Sequence, residues 1–301
     1  MTETPLRFAA ISDVHLQFRP SEYGCAPSTT SPPEFRLARF LAAAAEWDAD
    51  VVIQLGDMHA ESYDDGVGRI AAELWQSFPT ETIGVNGNHD SEPVPLDSYL
   101  AAMEMPAARY RRTVGDVSFL VLDAGNPAVP PGAPTDAGDI HHPDQLEWLA
   151  GELRRTAGRC VILVHNGVVN GTDRLPPLRL RDVFERANRN AGYRKVIGCL
   201  WGHHHRSHVT VSDGIWYVAL NSASYRWCSE QGPMFYRDPA PFAFGTISPG
   251  EGRIAIGGTG TPNNWADGGF DPPEDPDTFQ RGTLTPPTQR RFAWWDPTDG
   301  C

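Results

Sequence analysis

The stretch Leu6-Arg7-Phe8-Ala9-Ala10-Ile11-Ser12-Asp13-Val14-His15-Leu16 decides the fold. Leu6 to Ile11 is an apolar run of strand length, and it leads directly into a carboxylate and an imidazole two residues apart. An Asp-x-His triplet is common, and alone it reads as a helix cap with a surface histidine. It gains weight because the same arrangement, an apolar run ending on ligand types, recurs along the chain.

Val51 to Leu55 ends on Gly56-Asp57, where the glycine lets the backbone come close to whatever the carboxylate binds. Glu81 to Val85 runs into Asn86-Gly87-Asn88-His89-Asp90, which packs turn formers and ligand types together. Cys160 to Val164 ends on His165, and Lys195 to Trp201 ends on Gly202-His203-His204-His205. Ligands of open α/β sheets gather at the carboxyl ends of the strands, so five strand ends bearing metal-ligand types point to one shared site.

Helical patterns lie between these runs. Leu37, Leu41, Ala44 and Trp47 recur at helical spacing within 34–47, and further helices are expected at 67–78, 143–156 and 178–190. Pro143 suits a first helical turn, with Leu146, Leu149 and Leu153 as the buried stripe and His141-His142 preceding the helix. Val117 to Leu122 is a further strand. Later, His208 to Ser212 and Ile215 to Leu220 flank the hairpin signal Asp213-Gly214, and Phe242 to Ile247 and Arg253 to Ile256 flank a Pro-Gly-Glu-Gly turn. The expected architecture is α/β, a four-layer αββα sandwich of two mixed sheets flanked by helices, with antiparallel strands closing the fold.

Residues 1–260 read as one catalytic domain. Gln17 to Pro33, rich in Ser, Pro and Thr, comes after the first ligand pair and is expected to be a lid or specificity insertion, with Arg19 and Tyr23 as residues that could meet a phosphate or base. Residues 261–301 are rich in Pro and Gly, interspersed with Trp265, Phe270, Phe279, Phe292, Trp294 and Trp295. That aromatic content points to an extension packed on the core or forming a homo-oligomer contact.

The ordered set Asp-x-His, Gly-Asp, Gly-Asn-His-Asp, His, Gly-His-x-His, from Asp13 to His205, resembles the signature of the calcineurin-like metallophosphoesterase superfamily. The branch with Asp-x-His and Gly-His-x-His ends, which includes class III cyclic-nucleotide phosphodiesterases, is the most similar, and Gly138-Asp139-Ile140 through Gln145-Leu146-Glu147-Trp148-Leu149 resembles its helix entry. The resemblance implies a dinuclear phosphoesterase. One metal would be held by Asp13, His15, Asp57 and His205, the other by Asp57, Asn88, His165 and His203, with Asp57 bridging. Two cations about 4 Å apart would activate a bridging hydroxide for in-line attack and neutralise phosphoryl charge. The donor set suits divalent or mixed-valence Mn, Fe or Zn. His89, next to a ligand, is implied as general acid for the leaving alkoxide. Asp90 adjoins it, but neighbours in a turn diverge, and no direct role is assigned to it.

Departures narrow the branch. Met58-His59-Ala60 replaces the run that comes after Gly-Asp in protein serine/threonine phosphatases, and Ala60 stands where purple acid phosphatases place a metal-binding tyrosine. Asn166-Gly167 succeeds His165 where many relatives carry a proline. His59, His204 and His208 fall outside the family's ligand positions; most of them are expected to line the cleft or face solvent, and one could touch substrate.

Composition bounds the rest. A net charge of -13 disfavours a nucleic-acid partner and hence a nuclease, while two cations would still attract a small phosphoester substrate. Five scattered cysteines fit neither a disulfide framework nor a thiolate zinc site. No stretch reaches the ~20 apolar residues of a membrane span, and the start lacks a secretory signal, so a cytoplasmic protein is expected. The alternative of another class, a non-catalytic, metal-free scaffold of the same fold, conflicts with the presence of all seven candidate ligands.

Overall fold

The structure is a computed structural model that describes residues 4–16, 33–59, 65–90, 95–124, 142–166, 175–205, 208–227, 234–236 and 242–258. The expected insertion at 17–33, apart from its last residue, and the extension at 261–301 lie outside the described residues, as do Arg19, Tyr23, Ala60 and His141.

Two mixed sheets carry the fold. The first contains β1 (Leu6–Ile11), β2 (Val51–Gln54), β3 (Glu81–Gly84), β12 (Ala243–Ser248) and β13 (Arg253–Gly258), in the order β13-β12-β1-β2-β3. The second contains β4 (Tyr110–Val114), β5 (Val117–Val121), β6 (Arg159–Leu163), β7 (Val196–Trp201), β8 (His208–Ser212) and β9 (Ile215–Ala219), in the order β4-β5-β6-β7-β9-β8. A short ribbon pairs β10 (Tyr225–Trp227) with β11 (Met234–Tyr236). The two expected hairpins do not form a sheet of their own. Each extends an edge of a parallel centre: β12 pairs antiparallel with β1, and β9 pairs parallel with β7 and antiparallel with β8. Asp213 and Gly214 both have positive φ, 53° and 73°, which matches the twist a two-residue hairpin needs.

The helices α1 (Pro33–Trp47), α2 (Asp65–Gln76) and α3 (Leu96–Ala102) accompany the first sheet, and α4 (Pro143–Arg155) and α5 (Leu178–Ala191) accompany the second. Strand alternation sorts the second sheet's side chains into two cores. Leu120, Leu122, Ile162, Val164, Tyr217 and Ala219 face α4 and α5, whereas Phe119, Val121, Val161, Leu163, Trp216 and Val218 join the core shared with the first sheet. Both faces of each central strand are therefore covered, which is why β1, β2, β6 and β7 read as continuous apolar runs.

Pro143 enters α4 at its start, and His142 caps it, its Nδ1 accepting from the Asp144 amide at 3.3 Å. Cys160 and Cys199 are free and buried, and burial pushes both thiols above their ordinary range. Among the described residues no helix is long and apolar enough to cross a membrane.

Candidate metal centre

All five motif segments leave the sheets at one edge, and backbone bonds lace them together. Asp13 and His15 donate to the carbonyls of Gly56 and Asp57, each at 3.0 Å, which ties the segment after β1 to the segment after β2. On the second sheet, Gly202 donates to the His165 carbonyl at 2.9 Å. The sheets are joined across the site itself. The His203 amide donates to both Asp13 carboxylate oxygens at 3.1 Å, and His165 Nδ1 lies 2.7 Å from the Leu55 carbonyl.

Two groups of side chains result. Ligand atoms of Asp13, His15 and His205 lie within 4.8 Å of one another, as do those of Asp57, His165 and His203. His15 Nε2 and His205 Nε2 approach to 3.2 Å, and His205 Nε2 lies 3.2 Å from Asp13 Oδ1. The groups meet at Asp57, whose Oδ2 is 3.0 Å from His165 Nε2 and 3.8 Å from His15 Nε2. Asn88 joins the edge through its neighbour: the His89 amide donates to Asp57 Oδ1 at 3.0 Å. His89 is half-buried, its ring centroid 5.3 Å from that of His15.

The backbone is strained where the ligand types sit. Asp13, His15, Asp57, His203 and His205 account for five of the eight non-glycine residues with positive φ among those described. Each such conformation costs about 1–3 kcal/mol, and such strain clusters at functional sites. Gly56, at φ 93°, answers a different demand. A Cβ there would stand 2.3 Å from His165 Nδ1, so only glycine lets the β2 segment pass beneath that imidazole.

Electrostatics derive from burial and proximity. Burial opposes ionisation of Asp13, yet His205 and His165 hold its carboxyl at about 2. Burial likewise opposes ionisation of Asp57, but His165 and then His15 hold it far below the usual carboxylate range. Burial lowers His15 and His203 to about 3, overriding the nearby carboxylates. Burial works against the His165 cation too, but Asp57 and Asp13 outweigh it and raise that imidazole to about 10.

These residues fit divalent metal ions. The Asn88 side-chain carbonyl oxygen is buried with no hydrogen-bond partner among the described residues. An orphaned buried acceptor costs about 1–3 kcal/mol. A cation between imidazoles and carboxylates would satisfy it. The Leu55 carbonyl, by taking Nδ1–H of His165, fixes the tautomer that presents Nε2 to an ion. Imidazole and carboxylate donors without thiolate suit Mn, Fe or Zn.

The three extra histidines divide. His59 is buried at 1% exposure, edge-on to Tyr99 with centroids 5.2 Å apart, so it neither lines an open cleft nor faces solvent. Burial lowers it to about 4. His204 is half-buried against His203, and His208 begins β8. Sequence reasoning passed over the supports of the site: Ser222 Oγ donating to the Asp13 carbonyl at 2.8 Å, and Asn86 Nδ2 donating to Asp123 at 2.8 Å. Asp123 in turn accepts from Gln145 Nε2 on α4 through its carbonyl. Of these, only Asn86 and Gln145 stood inside recognisable motifs.

Two helix-flanked mixed sheets that bring His and Asp side chains from four strand ends into two adjoining groups define a metal-site protein of the αββα class. The chain belongs to the calcineurin-like phosphoesterase family, whose profile matches residues 6–207. No curated protein sequence matches it. Among solved structures, a dimetal phosphatase from Danio rerio superposes with a TM-score of 0.61 at 17% identity, covering 85% of this chain and 97% of the other. The protein TT1561 of Thermus thermophilus gives 0.52 at 12% identity, with 84% and 99% covered. GAP50, the anchor in the inner membrane complex of Plasmodium, gives 0.53 at 13% identity, with 82% of each chain covered. At these identities the likeness is one of fold.

Proposed function

We propose that this protein hydrolyses a small-molecule phosphate mono- or diester with two bound metal ions. Asp13, His15, Asp57 and His205 would hold the first, and Asp57, Asn88, His165 and His203 the second. The observation that carries the reading is the single oxygen Asp57 Oδ2 lying within 4 Å of an imidazole from each group. One carboxylate can then serve both positions.

Bound there, the ions would supply an activated water and positive charge for the phosphoryl oxygens. The chain's own residues do the rest. Asp57 and Asp13 remain anionic at neutral pH, which favours the cations. His15 and His203 are already neutral and offer lone pairs without losing a proton. The His89 ring stands beside His15 at the half-buried rim of the cluster, and it is assigned to protonate the leaving alkoxide.

A nuclease activity has the net charge of -13 against it. A metal-free scaffold would keep the Asn88 oxygen buried and unsatisfied to no purpose. A screen of the metal-supplemented protein against aryl phosphate mono- and diesters, cyclic nucleotides and sugar phosphates tests the proposal. Metal-dependent turnover of at least one class is expected, and chelator should abolish it. No turnover of any class by fully loaded protein would contradict it.

A further inference from the structure

We infer that Asp90 is a positioning residue that clamps the Asp57 and Asn88 segments to each other and thereby sets metal affinity at the second position. The inference rests on the two-metal reading above. Asp90 is fully buried, and its two oxygens face backbone donors. Oδ2 accepts from the amides of Gly87 at 2.7 Å and Asp57 at 2.9 Å, and Oδ1 accepts from the His59 amide at 2.9 Å.

Those backbone donors belong to two different segments. Asp57 and His59 come after β2, and Gly87 comes after β3. The exchange is reciprocal, because the His89 amide donates to Asp57 Oδ1 at 3.0 Å. Each segment's carboxylate thus holds the other's backbone. The clamp has little slack, since a Cβ on Gly87 would stand 2.0 Å from Asp57 Oδ1. Asp57 and Asn88 are ligands of the second position, so displacement of one segment against the other moves two of its four donors. At the first position only Asp57 is affected, and Asp13, His15 and His205 stand on other segments.

Packing alone does not account for a carboxylate here. Burying an anion beside Asp57 is unfavourable, and a neutral residue of the same shape would fill the space at lower cost. What a carboxylate adds is acceptor capacity on both oxygens. Asparagine offers one oxygen and one NH2, so it turns a donor toward either His59 N–H or the Asp57–Gly87 pair.

The test compares full-length Asp90→Asn with wild type, each stripped of metal and titrated with Mn²⁺ by calorimetry, with thermal melting of the metal-free forms in parallel. Wild type should take two equivalents. The variant should bind at the second position about 10- to 100-fold more weakly, the loss typical of removing a residue that orients metal ligands. Its first-position affinity should stay within about threefold and its metal-free melting temperature should not fall in proportion. Unchanged affinities at both positions, or equal losses at both, would overturn the inference. Failure of wild type to bind Mn²⁺ would instead overturn the two-metal reading. Amide hydrogen exchange on metal-free wild type serves if the variant does not fold. Slow exchange at Asp57, Gly87 and His59 is expected of a clamp formed before metal arrives, and fast exchange at Asp57 and Gly87 would contradict it.

Discussion

Oδ2 of Asp57 lies 3.0 Å from Nε2 of His165, joining the first sheet to the second by one contact at the centre of the ligand cluster. Without metal that contact is an ion pair, and with metal both groups would turn to the ion. The exchange of a proton for a cation gives the site its expected pH behaviour.

Metal loading at pH 7 to 8 is expected to release about one proton per chain from His165, in addition to that given up by a metal-bound water. His15 and His203, lowered to about 3, are already neutral, whereas His165, raised to about 10, must lose its proton before Nε2 can coordinate. Affinity at the second position should rise about tenfold per pH unit in this range. Calorimetric titration in buffers of different ionisation enthalpy measures the proton count, and zero would contradict the assignment. In the metal-free protein the sign reverses. The stability His165 gains from its raised value is fully present below pH ~6.5 and is lost as pH rises toward 10.

His59 predicts an acid limb. Its value is lowered to about 4 by burial, so the stability it contributes is present above pH ~6.5 and is lost as pH falls through 4. His59→Phe keeps a ring against Tyr99 but removes the titration. The metal-free variant should unfold at a lower pH than wild type, and an unchanged acid midpoint would count against the buried neutral imidazole.

The fold's parallel centre and the cluster at its edge were legible because each strand ends where its apolar run meets a ligand type. Cys160 to Val164 with His165 at its end is one instance. The antiparallel hairpins were legible as hairpins, through Asp213-Gly214, but not their attachment, because pairing of β12 with β1 depends on which edge is free. α3 and β4 were missed. α3 has seven residues, too few for a helical period to declare itself, and β4 reads Tyr-Arg-Arg-Thr-Val, whose arginines mask a strand at the sheet edge. His59 was misplaced for a related reason. A place beside the motifs but outside the ligand positions suggested the cleft or the surface, whereas the Leu16–His59 bridge and Tyr99 enclose it.

Gly56→Ala should be among the most damaging single-methyl changes. The added Cβ would stand 2.3 Å from His165 Nδ1, at a φ of 93° that L residues rarely adopt. Strain and overpacking together amount to roughly 2–5 kcal/mol. Denaturant melts would show that loss together with weakened metal binding, and a variant of wild-type stability would refute the packing described.

His89→Ala should retain its metal and lose turnover by about 100- to 10,000-fold on a substrate with a poor leaving group. The loss should shrink when the leaving group is a nitrophenolate, which needs no proton. Equal losses on both substrates would remove His89 from the role of general acid.

Metal content of Asp57→Ala, measured by elemental analysis after reconstitution, tests the central claim most directly. With Asp57 shared between the two positions, wild type should hold two ions per chain and the variant well under one. A folded variant that still binds two would show that Asp57 does not bridge.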